Sequence, residues 1–387
     1  MTRRERVLTA IARRLSKRTP IDDNARPTVR SEFAVDCNHE SMTTASMTSR
    51  ERVIAAIEFR SPDGIPFLNA QFPGALWRYG QTLVDLLNQY RDDFGDDNIA
   101  VPPRPEGDET FEEYDDEWGC RWRRIRGWSA GEVIRPALES WDQWKSYRIP
   151  PPSIAKHFNE EFRPDLFAAG PLPPDRDWYA LYGWFSLFEQ MQFLRGSANL
   201  FMDLAEDRGE LHELADRIVE RNLAMIERYI AMGIDGIFFG DDWGTQTRAL
   251  INPLGWRKFF KPRYAQIFAP LKKAGKHIFF HSCGWTVDFW DDLMELGVDV
   301  LNIQHSIMPR SVLERLRGKV CICSDPGRQH IMPFGTPADV ERHIREIVEI
   351  FHTPAGGLIQ RGEVAPDWPL ENVRAMYRVF AEFRPRR

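Results

Sequence analysis

The C-terminal half of the chain alternates two hydrophobic periods. Leu211, Leu214, Ile218, Ile226 and Tyr229 recur at helical spacing, and after Gly233 the continuous apolar run Ile237 to Phe239 reads as a buried strand. The unit then repeats. Trp256 to Leu271 leads through Gly275 to Ile278–Phe280, and Val287 to Leu296 leads through Gly297 to Val298–Ile303. Val312 to Leu316 precedes Val320–Cys323, and Val340 to Phe351 precedes Gly357–Gln360 and a last helix from Leu370 to Phe383. This alternation predicts parallel strands joined by helical crossovers. No G-x-G-x-x-G or G-x-x-x-x-G-K-[ST] segment follows a strand, which favours a (β/α)8 TIM-type barrel over an open doubly wound sheet.

The same pattern opens at Met47, with a helix carrying Val53, Ile54 and Ile57, a turn at Pro62 to Gly64, and a strand from Ile65 to Asn69. Residues 100–155 interrupt it. They are rich in Pro, Trp and acidic side chains, contain DEWGCRWRR at Asp116 to Arg124, and read as an irregular insertion bearing a hairpin. The opening MTRRERVLTAI returns as MTSRERVIAAI at Met47 to Ile57 with eight positions identical, and the polar stretch between the copies reads as a linker. The expected organisation is a flexible extension over 1–46 and one barrel domain over 47–387.

Composition narrows the function by exclusion. With 387 residues, 43% of them hydrophobic, the chain can bury a large core. A net charge of -6 gives no basic footprint for nucleic acid, and no apolar run is long enough for a membrane helix. Five scattered cysteines and the lack of a secretory-type apolar start fit a reducing cytoplasm and a small-molecule partner. The abundance of Trp and Phe is read either as packing under long loops or as the lining of a ligand pocket.

In barrels the chemistry gathers where strands end. Those positions hold Asn69 and Gln71, then Asp241, Asp242 and Gln246, then His281 and Cys283, then Asn302, Gln304 and His305, then Cys323 and Asp325, and last Gln360 and Glu363. His281 and Cys283 are two apart in an extended segment, so both can face one ion, with Gly284 turning the chain after them. The alternative is a buried His bonded to backbone beside a small apolar Cys. Asp241 and Asp242 can orient substrate, act as general base or brace a metal-bound His, or one of them can cap the helix leading into Asn252. Cys323 is read as a candidate ligand or as core, and His305 as solvated or substrate-facing.

Six segments together resemble the uroporphyrinogen decarboxylase superfamily: MTSRERVIAAIEFRSPDGIPF from Met47, DEWG from Asp116, GIDGIFFGDDWGTQ from Gly233, HSCG from His281, LMELGVDVLN from Leu293 and PFGTPADV from Pro333. The resemblance implies a barrel with a deep pocket at its C-terminal face. True decarboxylases of the superfamily carry an arginine-rich R-Q-A-G-R loop after the first strand; Asn69 to Gly74 has none, with Arg78 the nearest. The zinc-dependent corrinoid and coenzyme M methyltransferases use an H-x-C pair, which His281 and Cys283 match, and a later Cys, which 357–364 lacks. Glu363, Cys323 or an aspartate is then expected to complete the site.

What the resemblance implies is a methyltransferase with zinc at His281 and Cys283, and a corrinoid carried by a partner protein, since no D-x-H-x-x-G segment is present. Asp241, Asp242 and Gln246 are the expected catalytic residues, and Asn69, Gln71, Trp243, Gln304 and His305 the expected substrate contacts. The competing expectations are a metal-free decarboxylase or lyase and a non-catalytic binding protein.

Overall fold

The computed structural model describes residues 46–95, 99–104, 106–107, 110–128, 131–152 and 170–385. The expected extension lies, but for its last residue, outside the described residues. The first helix, Ser49–Ile57, begins at a capping box in which Thr48 Oγ1 accepts from Glu51 N and the Glu51 carboxylate accepts from Thr48 N. The second copy of the repeated segment therefore supplies the helix start. Its arginines are structural: Arg50 pairs with Asp235, and Arg52 with Asp63 and Asp93.

Seven parallel strands form the main sheet: β1 (Phe67–Gln71), β5 (Leu181–Phe185), β6 (Gly236–Gly240), β7 (His277–Ser282), β8 (Val300–Ile303), β9 (Cys321–Ser324) and β10 (Leu358–Val364). Their order is β1-β10-β9-β8-β7-β6-β5, with helices between successive strands, as a TIM-type barrel requires. Among the described residues the eighth position is held by an irregular segment rather than a strand. Asp93 N donates to Phe67 O on β1, Tyr179 N donates to Asp93 O just before β5, and Phe94 packs among the apolar side chains inside the barrel. The Asp93 carboxylate also accepts from Phe67 N, Arg52 and Arg384, so this seam is tied by charge where a ladder is lacking.

The insertion is a second, three-stranded antiparallel sheet of β2 (Phe111–Asp115), β3 (Arg121–Ile125) and β4 (Glu132–Arg135). Asp116 holds its turn by accepting from Trp118 N, Cys120 N and Trp122 Nε1. Trp122 then packs edge-on against Phe193 of helix Phe188–Arg195, the helix that follows β5.

Alternate residues of a strand face opposite sides, and this parity sorts the polar residues of the barrel. On β7, Ile278 and Phe280 join the outer core under the helices, Phe279 joins the inner cluster, and His281 follows Phe279 on the inner side. On β8, Leu301 and Ile303 are outer and Val300 is inner; on β9, Ile322 is outer and Cys321 and Cys323 are inner. The inner cluster fills the barrel below its C-terminal mouth.

Candidate active site

The mouth is built from residues that continue the inner parity. Gly240 pairs with His281 across β6 and β7, and Asn302 pairs with His281 across β7 and β8. A side chain on Gly240 would lie 2.5 Å from the Trp184 ring, so glycine is what admits the indole there. Trp184 itself stacks on Phe238 and lies 5.5 Å from the His281 ring. It is turned inward where the β5 register slips at Gly183, whose φ is 80°.

Asp242, His281 and Cys283 converge, with one ligand atom from each within 4.8 Å of the others; this is the only such group among the described residues. His281 Nε2 is 3.2 Å from Cys283 Sγ and 3.4 Å from Asp242 Oδ1, while Cys283 N donates to the same carboxylate oxygen at 2.8 Å. Asn302 fixes the ring from behind. Its Nδ2 donates to Cys323 O and Asp325 Oδ2, which leaves its Oδ1 to accept from His281 Nδ1 at 2.6 Å. The proton thus sits on Nδ1, and Nε2 is directed at the thiol and carboxylate. Burial disfavours charge on His281, yet the Cys283 sulfur and the Asp242 carboxylate outweigh it and hold the imidazole well above its ordinary pKa. Asp242 is likewise held at about 2, against its burial, by His281 and the Cys283 N–H. The geometry favours a positive charge at this point.

Two loops are locked together to make it. Gly244, after Asp242, and Gly284, after Cys283, meet backbone to backbone, and a Cβ on Gly284 would lie 2.3 Å from the Gly244 carbonyl carbon. Gly284 also has φ 79°, a left-handed conformation that favours glycine. Gln304 Oε1 accepts from Gly284 N and so pins the turn instead of facing free solvent.

Beside the group lies a charged cluster. Arg361 donates through Nη1 to Asp325 at 2.8 Å and through both Nη atoms to Glu363 at 3.0 and 3.1 Å. Arg328 donates to Glu363 Oε2 at 2.7 Å, and its Nη2 is 3.8 Å from Cys283 Sγ. Asp325 is buried, but Arg361 and Arg328 hold its carboxyl at about 2.

Several expected site residues go elsewhere. Asp241 has the outer parity: it is fully buried and accepts from Leu187 N, Phe188 N, Glu189 N and the Tyr264 hydroxyl. It caps a helix, though the one after β5 and not the one leading into Asn252. Trp243 is sealed in an aromatic cluster with Trp256, Tyr264, Phe280 and Phe289. Asn69 donates to Tyr90 O, toward the outer layer where Tyr90 stacks on Tyr377, and Gln71 shares its parity.

His305 is buried, bonded to Asp325 O and stacked on His343, and burial lowers its pKa. Cys323 lies in the inner apolar cluster, where burial pushes its thiol far up. Glu363 reaches the mouth, but its oxygens are taken by Arg361 and Arg328. Gln246 is exposed on the rim loop. Asp242, His281 and Cys283 are the expected residues that the fold brings together, with Asn302, expected only as a strand-end position, and with Trp184 and Arg328 as unforeseen partners. Glu189 is a further one. It opens the helix capped by Asp241, and burial together with the charges of Asp242 and Asp241 raises its carboxyl pKa well above the usual range.

The sequence model of the family described as Uroporphyrinogen decarboxylase (URO-D) matches residues 183–383, just over half of the chain and every strand of the barrel but β1 and the start of β5. The chain belongs to the uroporphyrinogen decarboxylase family. Among curated relatives, the uroporphyrinogen decarboxylase of Thermus thermophilus is 24% identical over 174 residues, 44% of this chain and 48% of that protein. The match therefore spans about half the length of the curated relative. Among solved structures, a methyltransferase from Methanosarcina mazei superposes over 87% of this chain and 99% of its own with a TM-score of 0.60 and 14% identity, a likeness of fold. A B12-independent methionine synthase from Shewanella overlaps 70% of this chain and 72% of its own with a TM-score of 0.38 and 11% identity. Among the described residues no helix is long and apolar enough to cross a membrane.

Proposed function

We propose that the chain is a methyltransferase of this family that holds one divalent metal, zinc by the character of the donors, between Asp242, His281 and Cys283. The observation that supports it most is the meeting of a thiol, an imidazole and a carboxylate within 4.8 Å at the barrel mouth. One soft and two harder donors suit zinc, and three protein ligands leave a position for a reactant, as catalytic zinc sites do. Asp242 takes the place for which Glu363 and Cys323 were the first candidates. A metal held there would supply polarisation of a methyl-bearing or methyl-accepting heteroatom and a lowered pKa for a bound thiol or alcohol.

The protein's own residues do the rest. Asn302 fixes the His281 tautomer, and is itself fixed by Asp325, so the donor set is preorganised. Trp184 offers an aromatic wall that excludes water beside His281. Glu189, whose carboxyl pKa is raised by burial and by the charges of Asp242 and Asp241, is the proton donor this reading assigns for a leaving oxygen or nitrogen. A corrinoid is expected to arrive on a separate protein.

Two measurements test this reading. Protein purified without chelators should hold about one zinc per chain, falling sharply in His281→Ala, Cys283→Ser and Asp242→Asn. Zinc-loaded protein should methylate free cob(I)alamin from small methoxy compounds, followed by its absorbance. Wild type without zinc, or variants that keep it, would remove the metal and leave a lyase, with Asp242 as its acid-base group, as the better reading.

A further inference from the structure

The arginines at the mouth are not equally occupied. Arg361 uses both terminal nitrogens on Asp325 and Glu363, and its side chain is 11% exposed. Arg328 is different. Its side chain is 34% exposed, it spends one nitrogen on Glu363, and its other terminal nitrogen meets only the Cys283 sulfur at a long 3.8 Å. A guanidinium has five N–H donors in a fixed fork. The remaining donors of Arg328 meet no other protein acceptor among the described residues. Glu363 does not depend on it either, because Arg361 already grips both carboxylate oxygens. Arg328 is thus a preorganised cation with an open edge, braced from behind by Glu363, beside the sulfur of the reactive group.

We propose that the open edge of Arg328 is a subsite for a single carboxylate of the substrate, so that the protein acts on small monocarboxylic acids whose reacting heteroatom lies a few bonds from the acid group. The contact between Arg328 and Cys283 sets that shortness: an anion on the guanidinium is already next to Cys283 and the group it forms with Asp242 and His281. Trp184, on the far side of His281, supplies a flat surface for the organic body of such an acid. One open fork pairs one carboxylate, in contrast to a substrate bearing many. The first-strand loop from Asn69 to Gly74 contributes no arginine of its own.

This inference rests on the proposed reaction for its choice of reacting group, but its test reads binding alone. Benzoate and benzamide, and propionate and propionamide, are titrated calorimetrically against the full-length protein with and without added zinc, and zinc content is measured on each preparation. Wild type should prefer each acid over its amide by roughly tenfold or more, the worth of a charge-assisted fork. Arg328→Gln should lose that preference while keeping its zinc content and melting temperature; Arg328→Lys, which keeps charge without the fork, should fall between. Equal binding of acid and amide by wild type, no binding of either, or an undiminished preference in both Arg328 variants would overturn the subsite. A protein that binds no zinc yet shows the Arg328-dependent preference would sink the metal reading and leave the subsite standing.

Discussion

Asp241 and Asp242 are neighbours in sequence and lie on opposite sides of the barrel wall. Asp241 points outward into a buried cap of three backbone N–H groups and a tyrosine hydroxyl, whereas Asp242 points into the mouth beside His281 and Cys283. The two carboxylates therefore have separable roles. Asp241→Ala leaves several buried donors without an acceptor and should cost about 2 kcal/mol or more in stability. Asp242→Asn should lower zinc content and cost less stability than Asp241→Ala, through the loss of its contact with His281. Denaturant titration and metal analysis of both variants check the separation, and equal loss of stability in the two would contradict it.

The Asp325–Arg361 pair gives the protein an acid limit. Arg361 and Arg328 hold the Asp325 carboxyl at about 2, below its ordinary value of about 4. A carboxyl lowered on folding contributes stability that is complete above the unfolded value and is lost as pH falls through the folded one. Stability should hence decline between about pH 4 and pH 2. Asp325→Asn should be less stable than wild type by about 3 kcal/mol at neutral pH, because Arg361 loses one of its two carboxylates, with a shallower decline in acid. Urea midpoints across that pH range measure it.

Porphyrinogen carboxylates should not be turned over. The loop from Asn69 to Gly74 contains no arginine, and burying unpaired carboxylates there is costly. Coproporphyrinogen formed by purified protein from uroporphyrinogen would show that other groups pair them.

A chain that begins at Met47 should fold and melt within about 2 °C of the full protein. Thr48 and Glu51 complete the first helix start between themselves, and Arg50 and Arg52 anchor that helix to Asp235, Asp63 and Asp93. A much lower melting temperature, or loss of solubility, would mean that the first 46 residues have a structural role.

The strand-helix alternation was legible because helices carry an apolar stripe while buried parallel strands are apolar throughout. That same uniformity hid the site. His281 and Cys283 could be assigned to one side by their spacing, but Ile237-Phe238-Phe239 offers no polar alternation to say which side of β6 is inner, so Asp241 and Asp242 looked equivalent. Asn69 and Gln71 were misplaced for the same reason. Trp184 depends on a register slip, Arg328 on a loop without periodicity, and the Asp241 cap on a helix more than fifty residues earlier, all tertiary facts without a local signature. The irregular eighth position was equally unreadable, since Asp92 to Gly95 resembles any polar turn.

The sheet order also sets a sequence of assembly. Strands β6 to β10 each lie beside the strand made just before, so they can associate as they leave the ribosome. β1 has no such neighbour: its ladder is with β10 alone, and the seam beside it needs Arg384 from the far end of the chain. The first strand synthesised must wait for the last, a contact of high sequence separation that slows closure. Until then the apolar inner face of β1 stays uncovered, which makes the nascent protein most prone to aggregation before β10 has emerged.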